Sequence, residues 1–205
     1  MASPVYISGA VEGPADEPVL RRIVEGRGAH VHRVQVQRGK ANVRRALPGY
    51  NRNARWSPWF VMVDLDQDFD CAAAMVSDWL PAPAQYMRFR VVVRQVEAWL
   101  LADADHFSKW FAVSKGTIPE EPDRLPDAKA TLIQLVATSR RLAVRQDMTP
   151  RLGSGRRVGP AYTSRIVEFA SDPIDGWRSE VAATRSPGLA KCLRRLDELV
   201  AAPPR

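Results

Sequence analysis

Residues that build soft-ligand metal or redox centres are scarce in this chain. Its 205 residues include two cysteines, Cys71 and Cys192, and three histidines, His30, His32 and His106. No C-x-x-C pair occurs, so neither a disulfide framework nor a zinc knuckle is indicated, and the histidines are too scattered for a His-rich metal site. Long apolar runs are also missing, and nothing approaches the roughly 20 residues needed to span a bilayer. The start, Met1-Ala-Ser-Pro-Val-Tyr-Ile, lacks the charged opening and long apolar core of a secretion signal. These absences predict a cytoplasmic protein that does not use a membrane. A G-x-x-x-x-G-K-[ST] phosphate loop is absent as well, so the chain itself shows no ATPase signature. Lysine is sparse, five against 25 arginines, which makes the search for a special lysine short.

What is abundant is charge, unevenly spread. The chain carries a formal net charge of +7. Residues 21–55 hold ten basic side chains against the single acid Glu25, residues 56–127 hold twelve acids against six bases, and residues 128–205 turn basic again. An acidic middle between basic flanks is what a cation site inside a phosphate-binding surface looks like, although solvated faces give the same pattern. Within the acidic stretch, Phe60-Val-Met-Val ends in Asp64-Leu-Asp66-Gln-Asp68-Phe-Asp70, and upstream Val5–Val11 ends in Glu12-Gly13-Pro14-Ala15-Asp16. Hard divalent cations take oxygen ligands, and Mg²⁺ is commonly held by one or two carboxylates with waters and substrate phosphate. Asp64 and Asp66 point the same way if the backbone stays extended. A calcium loop counted from Asp64 fails, because its sixth position is Phe69 and its twelfth Met75. A polar turn capping the next helix accounts for one aspartate but leaves four crowded like charges unbalanced.

The periodicity alternates strands and helices: strand 5–11, helix 19–25, strand 29–37, a short helix 42–47, a polar loop to Pro58, strand 59–64, helix 72–80, strand 86–93 and helical spacing over 94–103. This order predicts an α/β fold with a mostly parallel sheet flanked by helices. Sites in such sheets lie at the carboxyl ends of strands, where Glu12 and Asp64 fall. From Gly116 the texture changes to proline-rich loop, helix 128–139 behind the N-cap Asp127, a flexible basic loop over 149–160, and helices 162–170 and 189–200. The expected division is therefore a core of residues 1–115 and a helical extension of residues 116–205 packed on it. Trp99 and Trp110 on apolar helical faces read as core. Arg151, Arg156 and Arg157 in the glycine-containing loop are candidate phosphate contacts, since guanidinium forks match phosphate oxygens.

Glu12-Gly-x-x-Asp16 after one strand and Asp64-x-Asp66 after a later one resemble the TOPRIM domain of topoisomerases, primases and overcoming-lysogenization-defect nucleases. Arg94-Gln-Val-Glu97-Ala-Trp99-Leu-Leu-Ala-Asp103 resembles the EAWLLAD helix of a compact bacterial TOPRIM-like family found beside ATPase genes in defence loci, and Ser186-Pro-Gly-Leu-Ala-Lys-Cys-Leu-Arg-Arg-Leu resembles that family's last helix. The resemblance implies a Mg²⁺- or Mn²⁺-dependent nuclease active in anti-phage defence with a separate ATPase subunit. DNA stands ahead of RNA as substrate, and association of the chain with itself is left open. It implies Glu12 as general acid/base or metal ligand, Asp64 and Asp66 as central ligands, and Asp16 and Glu97 as further ligands. An essential lysine is expected, with Lys129 at a helix start and Lys40 in a glycine turn as candidates. Lys40 and Arg94 join the loop arginines as nucleic-acid contacts. The alternative is a non-catalytic nucleic-acid-binding or assembly subunit that keeps the fold.

Overall fold

A computed structural model describes residues 4–202. Along the chain run β1 (Tyr6–Val11), α1 (Asp16–Glu25), β2 (His30–Val36), α2 (Lys40–Asn53), β3 (Trp59–Asp64), α3 (Ala72–Trp79) and β4 (Met87–Val92). Then come α4 (Val96–Ala102), α5 (Ala104–Phe111), α6 (Ala128–Ala137), α7 (Leu142–Met148), α8 (Tyr162–Ser171), α9 (Ser179–Ala183) and α10 (Pro187–Ala201), with two short 3₁₀ turns before α6. The chain divides into two compact units. One holds the residues up to Val93 together with those from Gly188 onward, and the other is Arg94–Pro187. The division thus falls at 93/94 instead of 115/116, and α10 belongs with the sheet.

The first unit is built on an all-parallel sheet of order β2-β1-β3-β4. Alternate residues of each strand serve opposite faces. Ala10, Val61, Val63, Phe89 and Val91 form one apolar face and share a core with Val43 and Leu47 of α2 and Met75 of α3. On the other face α1 approaches β1 so closely that a Cβ at Gly9 would come within 2.9 Å of Leu20 Cδ2. The same parity gives Arg88 and Arg90 of β4 to the face that α10 covers. There Arg88 Nε donates to Arg195 O at 3.0 Å, and Cys192 is fully buried beside Arg90.

The 42–47 helix is longer than its sequence suggests. The Pro48-Gly49 pair reads as a stop, yet α2 runs for 14 residues with Pro48 inside it. Proline there removes one i→i−4 bond. Packing overrides it, because Val43, Leu47 and Ala54 are fully buried at helical spacing and the Tyr50 ring stacks on Trp59 at 4.5 Å. The second unit is helical. Trp99 in α4 is buried and its carbonyl accepts a bond from Trp177 Nε1 at 2.9 Å. Trp110 packs on Phe169 with centroids 5.8 Å apart. Among the described residues no helix is long and apolar enough to cross a membrane.

Candidate active site

β1 pairs with β2 on one side and β3 on the other. The connection from β1 turns one way across the sheet and the connection from β2 to β3 crosses back, so the strand order reverses between β1 and β3. Helices leave to opposite faces at such a point, and a crevice opens at the carboxyl ends of the two strands. Glu12 directly follows β1, and Asp64 is the last residue of β3. The register couples Val11 with Met62, so one further step puts Glu12 beside Val63 and next to Asp64. Both acids are half-buried.

Lys40, the first residue of α2, reaches into this crevice. Its Nζ donates to Asp66 Oδ2 at 2.6 Å, to Asp68 Oδ2 at 2.7 Å and to Leu65 O at 3.5 Å. A cation at a helix N-terminus meets the positive end of the helix dipole, so this placement depends on the carboxylates opposite. Two backbone features bring the lysine there. Gly39 adopts φ 130°, a conformation open to glycine, and its N–H donates to Glu12 O at 3.0 Å. Burial opposes the charge of the Lys40 ammonium. The hydrogen bonds to Asp66 and Asp68 and the charges of Asp66 and Glu12 outweigh it and hold its pKa above the ordinary lysine value.

The aspartates are not arranged as simple alternation suggests. Asp66 has φ 49°, so the backbone leaves the extended form right after Leu65 and the Asp64-x-Asp66 pair is not a continuation of β3. The turn instead aims Asp66 and Asp68 at the same ammonium. Asp16 is tied locally: its Oδ2 accepts the Gly13 N–H at 2.8 Å and closes the turn between β1 and α1. Among the described residues, no three His, Cys, Asp or Glu side chains are grouped to hold a metal ion. The donors around Lys40 Nζ are nonetheless all oxygen and already surround a cation, and two carboxylates are a sufficient protein share for Mg²⁺. The donor chemistry therefore fits a hard divalent ion.

The remaining expected residues lie in the second unit. Glu97 is only 1% exposed. Its Oε1 accepts from Tyr162 Oη at 2.7 Å and faces Lys129 Nζ at 3.3 Å. Lys129 is placed by two caps on α6: Gln95 Oε1 accepts its backbone N–H at 3.0 Å, and Asp127 Oδ1 accepts that of Ala130 at 2.8 Å. Two expected residues, Glu97 and Lys129, thus meet each other directly. Tyr162 completes the group and was missed by the sequence reading, because a tyrosine at a helix start 65 residues away carries no local signal. Arg94 is half-buried ahead of α4, whereas Arg151, Arg156 and Arg157 are exposed. Arg157 pairs with Asp127 at 2.8 Å, and Arg151 and Arg156 line an open cavity of about 320 Å³. The basic loop is pinned at its end, where Gly159 N–H donates to Met148 O at 2.9 Å.

No family model, no curated protein and no solved structure matches the chain.

Proposed function

We propose that this protein is a divalent-metal-dependent phosphodiester hydrolase acting on nucleic acid, with a TOPRIM-like site at the carboxyl edge of β1 and β3. One observation carries this reading: carboxylates at the reversal point of a parallel sheet gather around a single tethered ammonium, Lys40 Nζ, at 2.6 and 2.7 Å. Asp64, Asp66 and Asp68 would hold Mg²⁺ or Mn²⁺, with Asp16 as a further ligand that the resemblance implies. A bound divalent ion supplies an activated water and neutralises charge developing on the phosphate. Glu12, at the end of β1, would take or give the proton. Lys40 balances the carboxylates and can turn its charge toward a phosphate. The exposed Arg151, Arg156 and Arg157 would hold the polyanion. We place the activity in the cytoplasm, in anti-phage defence beside a separate ATPase subunit, with DNA as the substrate.

The test is cleavage of plasmid and of single-stranded DNA with Mg²⁺ or Mn²⁺, against a chelator control. Asp64→Ala should lower the rate by about 100-fold or more, the scale expected when several kcal/mol of transition-state stabilisation are lost, while leaving thermal melting intact. Undiminished cleavage in that variant removes the assignment. A second reading is a non-catalytic nucleic-acid-binding subunit, in which the exposed Arg151, Arg156 and Arg157 would serve binding alone. Metal-independent binding without cleavage under any condition would select it.

A further inference from the structure

The opposite edge of the same sheet has a different character. At the amino ends of β1 and β3 lies an open cavity of about 430 Å³, lined among others by Tyr6, Ser8, Arg33, Asn53, Trp56 and Trp59. Large aromatic side chains are normally mostly covered, but Trp56 is 80% exposed and Tyr6 55%. Trp59 lines the cavity too, with the Tyr50 ring stacked on it at 4.5 Å and the Arg33 guanidinium 5.8 Å from its centroid. Tyr6 is steadied from the side by His30, with ring centroids 5.4 Å apart. No acidic residue lines the cavity. Arg33 lines it, and Arg52 and Arg55, next in sequence to Asn53 and Trp56, are exposed.

Exposed aromatic rings beside guanidinium groups suit one class of ligand. An unpaired base offers a π-face to Trp56 or Tyr6, its edge can bond to Asn53, and its phosphates meet the arginines. Double-stranded DNA buries those faces in its stack. A protein partner would more usually find an apolar patch with mixed charges at its rim. The cavity also lies away from the carboxylates: β3 runs from Trp59 at the cavity to Asp64 at the site, roughly 17 Å at the usual strand rise.

We infer that the Tyr6–Trp56–Arg33 cavity is a stacking site for single-stranded nucleic acid, anchoring a strand on the sheet unit at a distance from the acidic edge. The inference rests on the polynucleotide reading above but not on catalysis. It is tested by fluorescence anisotropy of a labelled oligothymidylate about twelve nucleotides long, within the usual site size of such surfaces, in chelator so that no cleavage is possible. Trp56→Ala and Tyr6→Ala should each weaken binding by about 5- to 150-fold, the range for losing one base–aromatic stack. Trp56→Phe should retain most of the affinity, and Arg33→Gln should flatten the salt dependence by about one unit. Unchanged affinity in both alanine variants, with their melting temperatures intact, overturns the inference while leaving the hydrolase reading standing. Loss of self-association in Trp56→Ala, seen by sedimentation without any loss of oligothymidylate binding, also overturns it and assigns the patch to contact between copies of the chain. Stacking without cleavage in metal would instead remove the hydrolase reading alone.

Discussion

Lys40 shows how one side chain can stand for a missing charge. Asp66 and Asp68 are brought together by a turn with a left-handed residue at Asp66, a conformation that costs about 1–3 kcal/mol in general. The ammonium offsets their mutual repulsion. Lys40→Met should therefore lower the melting temperature in chelator, and millimolar Mg²⁺ should restore more of it in the variant than in wild type, because binding to the folded state alone stabilises it. Equal Mg²⁺ responses would mean that the two carboxylates do not serve as cation ligands. Glu97 poses the same problem in the second unit, where its buried Oε1 depends on Tyr162 and Lys129. Tyr162→Phe removes one of those partners and should cost about 1–3 kcal/mol in urea denaturation.

At the scale of elements, what the sequence displays is local. β3 is found where its apolar run ends in Asp64, and the alternation of strands and helices identifies the parallel sheet, because hydrophobic period and strand order are written in consecutive residues. The extent of α2 was hidden, since Pro48-Gly49 is a strong local stop and the burial of Ala54 and the stacking of Tyr50 on Trp59 are tertiary. The same holds for the site. Glu12 and Asp64 are legible as strand ends, but the aim of Asp66 and Asp68 at Lys40 depends on a turn whose φ the sequence does not state. The meeting of Glu97 with Lys129 and Tyr162 depends on how distant helices pack. Because Pro48 is exposed and withholds a donor from the middle of α2, Pro48→Ala should stabilise the protein by about 1–3 kcal/mol. A loss of stability would show that the proline's restriction of the unfolded chain outweighs the missing bond.

For the whole molecule, α10 is the element that closes the first unit, and Cys192 reports on it. Burial pushes its thiol pKa up to about 11, although Arg90 acts in the other direction. A thiol whose folded pKa is raised contributes stability that is intact below its unfolded value near 9.0 and is lost as pH rises through the folded one. Wild type should lose stability between about pH 9 and 11 by an amount that Cys192→Ala does not. Exposed Cys71 should react with iodoacetamide at neutral pH while Cys192 waits for unfolding. The place of α10 in the chain also sets an order of events during synthesis. Arg94–Pro187 separates the sheet from the helix that covers Arg88 and Arg90, so all of that intervening unit leaves the ribosome before the first unit can finish. The unit encoded later is thus the earlier one to be complete. Until Gly188 onward is made, the β4 side of the face that α1 and α10 share lacks its cover over Arg88 and Arg90, and that interval is when the nascent chain is most open to aggregation.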